Sequence, residues 1–287
     1  MLGLALIDEC IKNNVYVLAI IREKSSRRNK IPNNKNIRII ECNLSDYEKI
    51  NIDDSFDTLF HFAWEGTNKE DRNNPIIQER NIKYALDAVR LAKRSGCKRF
   101  IGIGSQAEYG VKNEKLNSSL STNPTTSYGI TKLCACKLTD LLCGELDLEY
   151  VWVRVLSVYG KNDNKETLIS SAIESMLKNE NIELTIGLQN WDYLYSEDAG
   201  EALFLIDKKG KNGKIYNLGS GKTDTIRNYL ATIKEITNSK SKLNFGSMPI
   251  NKNQPQYLCA DIDDLVNDIF WKPKTSFYNG IRIMMGK

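Results

Sequence analysis

The chain has 287 residues, 41% of them apolar and 26% charged, with a formal net charge of +4 from 40 basic and 36 acidic side chains. That length suits about two domains, and the composition is that of a soluble globular protein, which excludes disorder and collagen-like repeats. The charge is too small and too evenly spread to mark a nucleic-acid binder. Only one histidine, His61, is present, so a Ser-His-Asp hydrolase site would rest on that residue and a zinc site would fall to cysteines and carboxylates. The seven cysteines form an odd set with no CxxC pair and read as reduced thiols of a cytoplasmic protein, with no metal site. No apolar run approaches the roughly 18 residues of a membrane span, and the N-terminus lacks a signal-peptide pattern.

Apolar positions Leu4, Leu6, Ile7, Cys10 and Ile11 carry a helical period and predict a helix over 2–13, followed by a buried strand over 15–21. Short apolar runs predict strands over 37–40, 58–62 and 99–103, and a helical pattern over 81–95 stops at Gly96. A helix is expected over 128–143, ending near Gly144, then a strand over 149–155. Alternating strands and helices imply an α/β, doubly wound parallel sheet with right-handed crossovers. From about residue 162 the elements shorten: helices over 167–177 and 226–236 and a strand over 215–217 read as a smaller C-terminal lobe. His61, inside a strand, reads as a packed core histidine, and the basic stretch 22–30 as a solvated loop.

Ligands of doubly wound sheets bind beyond the carboxyl ends of the strands. Arg22, Asn43, residues 63–66, Ser105 and Ser157 occupy those ends. Tyr128 and Lys132 lie one helical turn apart, so they share a face, and an ammonium near a phenol pulls its pKa down from about 10 toward values useful for proton transfer. Alone this spacing is weak evidence in a chain rich in both residues. Ser105, at the end of an apolar strand, adds a hydroxyl that can converge on the same point.

At these residues the chain resembles the extended short-chain dehydrogenase/reductases, the NAD-dependent epimerase/dehydratases that mostly act on nucleotide-linked sugars. The matching pieces are Ser105-Gln-Ala-Glu-Tyr109-Gly110, Ser127-Tyr128-Gly-Ile-Thr-Lys132, Val153-Arg154-Val-Leu-Ser-Val-Tyr159-Gly160, Trp191-Asp-Tyr-Leu-Tyr-Ser-Glu-Asp198, Tyr216-Asn-Leu-Gly-Ser-Gly221 and Trp271-Lys-Pro-Lys-Thr-Ser276. The resemblance implies a Rossmann-type dinucleotide-binding domain over 1–161 and a mainly substrate-binding lobe over 162–287. It makes Tyr128 the acid/base, Lys132 the residue that lowers its pKa and holds the nicotinamide ribose, and Ser105 the hydrogen-bond partner of the reacting oxygen. It places Asn81 near the catalytic loops and Asn43, Leu44, Ala63 and Trp64 around adenine and ribose, and implies a homodimer through the helices beginning near Asn81 and Tyr128.

Family members open with a strand and a GxxGxxG turn that cradles pyrophosphate. Gly3 matches only the last glycine of that turn, so the first strand and the glycine-rich loop are missing here. The expectation is that the natural start lies upstream and that the 287-residue chain binds cofactor weakly. The second strand of the family normally ends in an acidic residue for the ribose of NAD; Ile21 stands there, followed by Arg22, whose guanidinium suits the 2′-phosphate of NADP, with Lys24, Arg27 and Arg28 as auxiliary cations. NADP(H) is therefore favoured over NAD(H), although Glu23, one residue on, would serve NAD.

Family dehydratases carry Asp-Glu soon after the active-site Ser or Thr. Gln106 and Ala107 stand at those places here, which speaks against 4,6-dehydration. Trp191 stands where an Arg is common and Ser157 where an Asn is common; together with Gln106 they are taken as substrate-binding, Trp191 either stacking on a base or sugar or packing in the lobe. The expected function is 4-ketoreduction of a nucleotide-linked sugar with Tyr128 as proton donor. The alternatives are a nucleotide-sugar epimerase and a catalytically silent, cofactor-sensing or structural family member.

Overall fold

A computed structural model describes residues 1–68, 70–249 and 255–287. The chain begins with α1 (Leu2–Lys12), β1 (Val17–Ile21), β2 (Ile37–Glu41), β3 (Thr58–His61), α2 (Pro75–Arg94), β4 (Arg99–Ser105), α3 (Ser127–Glu145) and β5 (Glu149–Val155). It continues with β6 (Ser157–Tyr159), α4 (Leu168–Leu177), β7 (Ile182–Leu184), β8 (Asn190–Trp191), β9 (Tyr193–Tyr195), α5 (Ser196–Lys209) and β10 (Lys214–Leu218). The last elements are β11 (Asp224–Thr225), α6 (Ile226–Thr237), β12 (Leu243–Phe245), β13 (Tyr257–Leu258), α7 (Asp263–Ile269) and α8 (Phe277–Met284).

A parallel sheet in the order β10-β5-β4-β3 forms the centre. β1 and β2 pair in parallel as a separate ladder. Side chains bridge the two, as where the rings of Tyr16 and Phe56 stack at 6.0 Å. On β4 and β5, Ile101, Ile103, Val151, Val153 and Val155 pack with Leu6 of α1, Leu203 of α5 and Leu265 of α7. Phe100, Tyr150 and Trp152 point the other way and pack with Ala85 and Ala88 of α2 and Ala135 and Cys136 of α3. Successive side chains of a strand alternate between faces, so a sheet covered on both sides needs the unbroken apolar runs that the sequence shows.

The helix expected from residue 81 begins earlier, at Pro75. Asn74 caps it, accepting from the Ile76 and Ile77 N–H groups at 3.1 and 3.3 Å, and Pro75 fills a first-turn position where its missing N–H costs nothing. The strand expected over 215–217 as part of the smaller lobe joins the large sheet instead: α5 packs along α1 and returns the chain so that β10 lies beside β5. The smaller lobe has its own core, in which Ile169, Met176, Leu230, Ile233 and Ile281 of α4, α6 and α8 close around Tyr159 and Tyr195. Asp192, fully buried, locks its loops by accepting from the N–H groups of Ser220, Gly221 and Ala260 at 2.7, 3.0 and 3.0 Å. Among the described residues no helix is long and apolar enough to cross a membrane.

The end of β4 is held by one carboxylate. Ser105 caps the 3-10 turn Gln106–Tyr109; its hydroxyl accepts from Ala107 N–H at 3.2 Å while Glu108 accepts from Ser105 N–H at 2.8 Å, a reciprocal capping box. The other lone pairs of Glu108 accept from Trp152 Nε1 at 3.0 Å and Arg154 Nε at 2.8 Å, both on β5. Glu108 and Arg154 are 0% and 2% exposed. A Cβ on Gly104 would collide with the Trp152 indole and the Glu108 carboxylate, so glycine is required where these groups cross the strand. Removing one member of a buried ion pair strands the other charge at a cost of about 3–5 kcal/mol, whereas replacing both with apolar groups is far less costly. Glu108→Ala is expected to destabilise the fold by that amount, and Glu108→Ala with Arg154→Met by clearly less; equal denaturation midpoints for wild type and Glu108→Ala would contradict this account.

Candidate active site

Ser105, Tyr128 and Lys132 meet at the carboxyl end of β4. Thr126 caps α3, accepting from Gly129 N–H at 3.1 Å, so Tyr128 falls in the first turn and Lys132 one turn further along the same face. Gly129 allows α3 to come close to the Ala107 carbonyl, where a Cβ would clash. Ser105 is 7% exposed, and its hydroxyl lies near enough to the Tyr128 phenol to favour the phenolate. Burial raises the Tyr128 pKa, and Arg72 and Ser105 act against that rise.

Lys132 is 3% exposed and donates to the Ile103 carbonyl at 2.6 Å. Desolvation lowers its pKa to about 7, with Glu108 opposing and Arg72 reinforcing the drop. Its ammonium lies 3.5 Å from the Trp64 ring centroid but 5.9 Å from that of Tyr128. A second cation stands closer to the tyrosine: the Arg72 guanidinium lies 4.3 Å from the Tyr128 ring centroid.

Trp64 and Arg72 both come from the connection between β3 and α2. The Trp64 indole donates to Gln78 Oε1 at 2.9 Å, and Gln78 Nε2 donates to the Gly66 carbonyl at 2.7 Å. Asn81 accepts from Glu65 N–H at 2.7 Å and donates to the Glu65 carbonyl at 3.1 Å. Gln78 and Asn81 are 0% and 1% exposed. Asn81 therefore shapes the loop after β3, and Trp64 meets Tyr128 edge to face at 6.1 Å.

The remaining sequence-predicted residues divide into two groups. Ala63 follows β3, Gln106 opens the 3-10 turn beside Ser105, and Arg22, Asn43 and Leu44 follow β1 and β2, all at carboxyl ends of strands. Asn43 holds the loop after β1 by accepting from Glu23 N–H at 3.3 Å. Arg28, expected as an auxiliary cation, is paired with Glu41 at 2.8 Å. Gly3 sits in the first turn of α1, its Cα side facing Phe62. Ser157 and Trp191 lie together, the indole donating to Ser157 Oγ at 2.7 Å, and Trp191 packs against the smaller-lobe cores. His61 is 3% exposed, between Tyr47 and Phe100, and burial lowers its pKa to about 3.

Sequence reasoning missed Glu108, Gln78 and Arg72. The S-x-x-E spacing of Ser105 and Glu108 carried the capping-box signal for the first. Nothing local in the sequence marked the other two.

The donor set suits a nicotinamide dinucleotide. Lys132 has three N–H donors, one of which the Ile103 carbonyl takes, and the Trp64 ring covers its ammonium at 3.5 Å. The exposed Arg22 side chain has no ion pair among the described residues, and Asn43 and Ala63 follow neighbouring strand ends.

The sequence profile described as the NAD dependent epimerase/dehydratase family matches residues 1–219. CDP-abequose synthase of Salmonella muenchen is 26% identical over 288 residues, covering 99% of this chain and 93% of that protein. Among solved structures, UDP-glucose 4-epimerase from Thermotoga maritima with UDP-glucose superposes with a TM-score of 0.87 at 22% identity, covering 100% of this chain and 94% of the other. UDP-glucuronic acid 4-epimerase from Bacillus cereus, in complex with UDP-glucuronic acid and NAD, gives 0.85 at 22% identity, covering 99% and 95%. The profile match spans the large sheet and every residue gathered at the end of β4, so the chain belongs to the NAD dependent epimerase/dehydratase family of the extended short-chain dehydrogenase/reductase type.

Proposed function

We propose that the chain reduces the 4-keto group of a nucleotide-linked sugar, using NADPH, with Tyr128 as proton donor and Ser105, Tyr128 and Lys132 as the catalytic set. The observation that carries this reading is the buried Ser105 hydroxyl at the end of β4 beside a phenol whose pKa burial raises. Such a phenol stands protonated near neutrality, which is the form a reduction consumes. A nicotinamide bound at the strand ends supplies the hydride chemistry. The chain's own part is to hold the keto oxygen between the Ser105 hydroxyl and the Tyr128 phenol and to deliver the phenolic proton as negative charge develops on that oxygen. Lys132 then faces the ribose and stabilises the phenolate left behind.

NADP(H) over NAD(H) rests on Arg22, an exposed guanidinium at the end of β1 with no carboxylate partner among the described residues. Gly3, Asn43, Leu44, Ala63, Trp64 and Asn81 make up the rest of the proposed cofactor side, and Gln106, Ser157 and Trp191 the substrate side. We extend the proposal to the division into a cofactor part over 1–161 and a mainly substrate-binding part over 162–287. A homodimer through α2 and α3 has support in their outward apolar side chains, with Ile76, Ile130 and Leu141 at 60, 54 and 66% exposure. A cytoplasmic location agrees with seven free cysteines.

Epimerisation is the second reading, favoured because both solved structures described above carry the name of sugar-nucleotide 4-epimerases, one of them in complex with NAD. Incubation with 4-keto and with 4-hydroxy sugar nucleotides separates the two: a reductase consumes NADPH stoichiometrically with the keto compound, and an epimerase interconverts hydroxy sugars without net cofactor change. Binding with neither outcome would favour a silent, cofactor-sensing protein.

Tyr128→Phe is expected to lower kcat by about 10²–10⁴-fold with the fold intact; turnover within a few-fold of wild type would remove Tyr128 from the mechanism. Arg22→Gln is expected to raise KM for NADPH about tenfold or more and leave NADH almost unchanged, one lost charge-assisted phosphate contact being worth roughly that much; equal effects on both cofactors would contradict the NADP assignment. The Lys132 pKa of about 7 lies below its ordinary value of 10.5, so between those values the unfolded chain binds more protons and the folded state gains stability as pH rises. Lys132→Met is expected to lose that contribution; denaturation curves whose pH dependence is the same in both proteins across this window would show that Lys132 is not depressed.

A further inference from the structure

We infer that Arg72 is a positioning residue for Tyr128: its guanidinium lies over the phenol ring and supplies the standing positive charge next to it. This rests on the proposed role of Tyr128 as the acid.

Arg72 is exposed, and what sets it apart is where its guanidinium stands. Its guanidinium carbon stands 4.3 Å from the Tyr128 ring centroid, while the Lys132 ammonium is 5.9 Å from that centroid and already engaged with the Ile103 carbonyl and the Trp64 ring. Unlike Arg80, Arg90 and Arg154, Arg72 forms no ion pair among the described residues. A cation over the face of an aromatic ring is attracted to the ring quadrupole, and the attraction grows when the ring becomes a phenolate.

The placement is also fixed from both ends. Ser127 Oγ, next to Tyr128 in the chain, donates to the carbonyl of Asn73, next to Arg72, at 3.0 Å. On the other side of Arg72, Asp71 N–H donates to Asn68 Oδ1 at 2.7 Å, and the Asp71 carbonyl receives Gln78 Nε2 at 3.3 Å. A bond between the neighbours of two residues sets the register between their backbones, which puts the Arg72 side chain within reach of the Tyr128 ring.

The charged and titratable groups around the phenol are Arg72 from the loop, Glu108 from the turn after β4 and Lys132 from its own helix; the Ser105 hydroxyl adds a polar neighbour and Trp64 an uncharged edge. Of the two cations, Arg72 is the nearer to the ring. Its effect on Tyr128 is to favour the phenolate, against the burial that disfavours it.

The test reads Tyr128 directly and needs no substrate. The alkaline ultraviolet difference spectrum of the protein minus that of its Tyr128→Phe variant isolates this phenol, and the same subtraction is made in an Arg72→Gln and an Arg72→Lys background. The expected result is a titration midpoint higher by about one pH unit or more in Arg72→Gln, the scale of a nearby opposite charge, and largely restored in Arg72→Lys. A midpoint unchanged in Arg72→Gln, or no Tyr128 titration below alkaline unfolding in either protein, overturns the inference. A purely structural role would leave the lysine variant as defective as the glutamine variant and would overturn it equally. NADPH-consumption assays on the same proteins separate the two levels: a shifted midpoint without turnover by wild type sinks the proposed function but not Arg72, and turnover lost in Tyr128→Phe with an unmoved midpoint does the reverse.

Discussion

Glu108 carries a charge with no access to water, and the geometry around the site follows from the way that charge is satisfied. Its carboxylate accepts from the backbone of Ser105, the indole of Trp152 and the guanidinium of Arg154. Each partner belongs to a different piece of local structure: the end of β4, the middle of β5 and its far end. A neutral side chain could not hold three such donors, and an unpaired acid could not stay buried. The network extends through Arg154, which lies 4.5 Å from the Tyr109 ring centroid, and through the Tyr109 hydroxyl to Asn217 on β10 at 2.7 Å. One buried pair thereby fixes the Ser105 hydroxyl relative to three adjacent strands.

The second constraint is the connection after β3. Two side chains of α2, Gln78 and Asn81, are spent on its backbone and on Trp64 rather than on the core. The result is a cover in which Trp64 lies over Lys132 and Arg72 over Tyr128. At each titrating residue one flanking charge opposes burial and the other reinforces it. Desolvation raises Tyr128 and lowers Lys132, moving the two pKa values apart, while the flanking charges of Arg72 and Glu108 adjust them. Groups whose pKa values are displaced in this way at a strand end are what proton-transfer chemistry requires.

The smaller lobe shows how the strings that carry the resemblance can be structural. Asp192, within the Trp191 to Asp198 string, accepts three backbone N–H groups from the loops after β10 and β13. Asp198 receives the N–H groups of Lys274 and Thr275 at 3.1 and 2.8 Å, which joins that string to the Trp271 to Ser276 one. These two strings tie distant segments of the chain together. Trp191 and Ser157, read separately as substrate residues, are each other's hydrogen-bond partner.

The sequence by itself determined the alternation of helix and strand through β5, because these elements are long enough for their apolar period to show, and the strand over 149–155 coincides with β5. It also determined that Tyr128 and Lys132 share a face, since helical spacing is local, and that Ser105 ends a strand. The two- and three-residue strands of the smaller lobe were not legible, because a ladder so short carries no period and exists only where a partner strand supplies its hydrogen bonds. The place of β10 in the large sheet was decided by the return of the chain over α1, a contact between segments far apart in sequence. Arg72 over Tyr128 was decided in the same way: its loop is held by bonds to Gln78 and Ser127, and no run of residues around Arg72 encodes where those partners will stand.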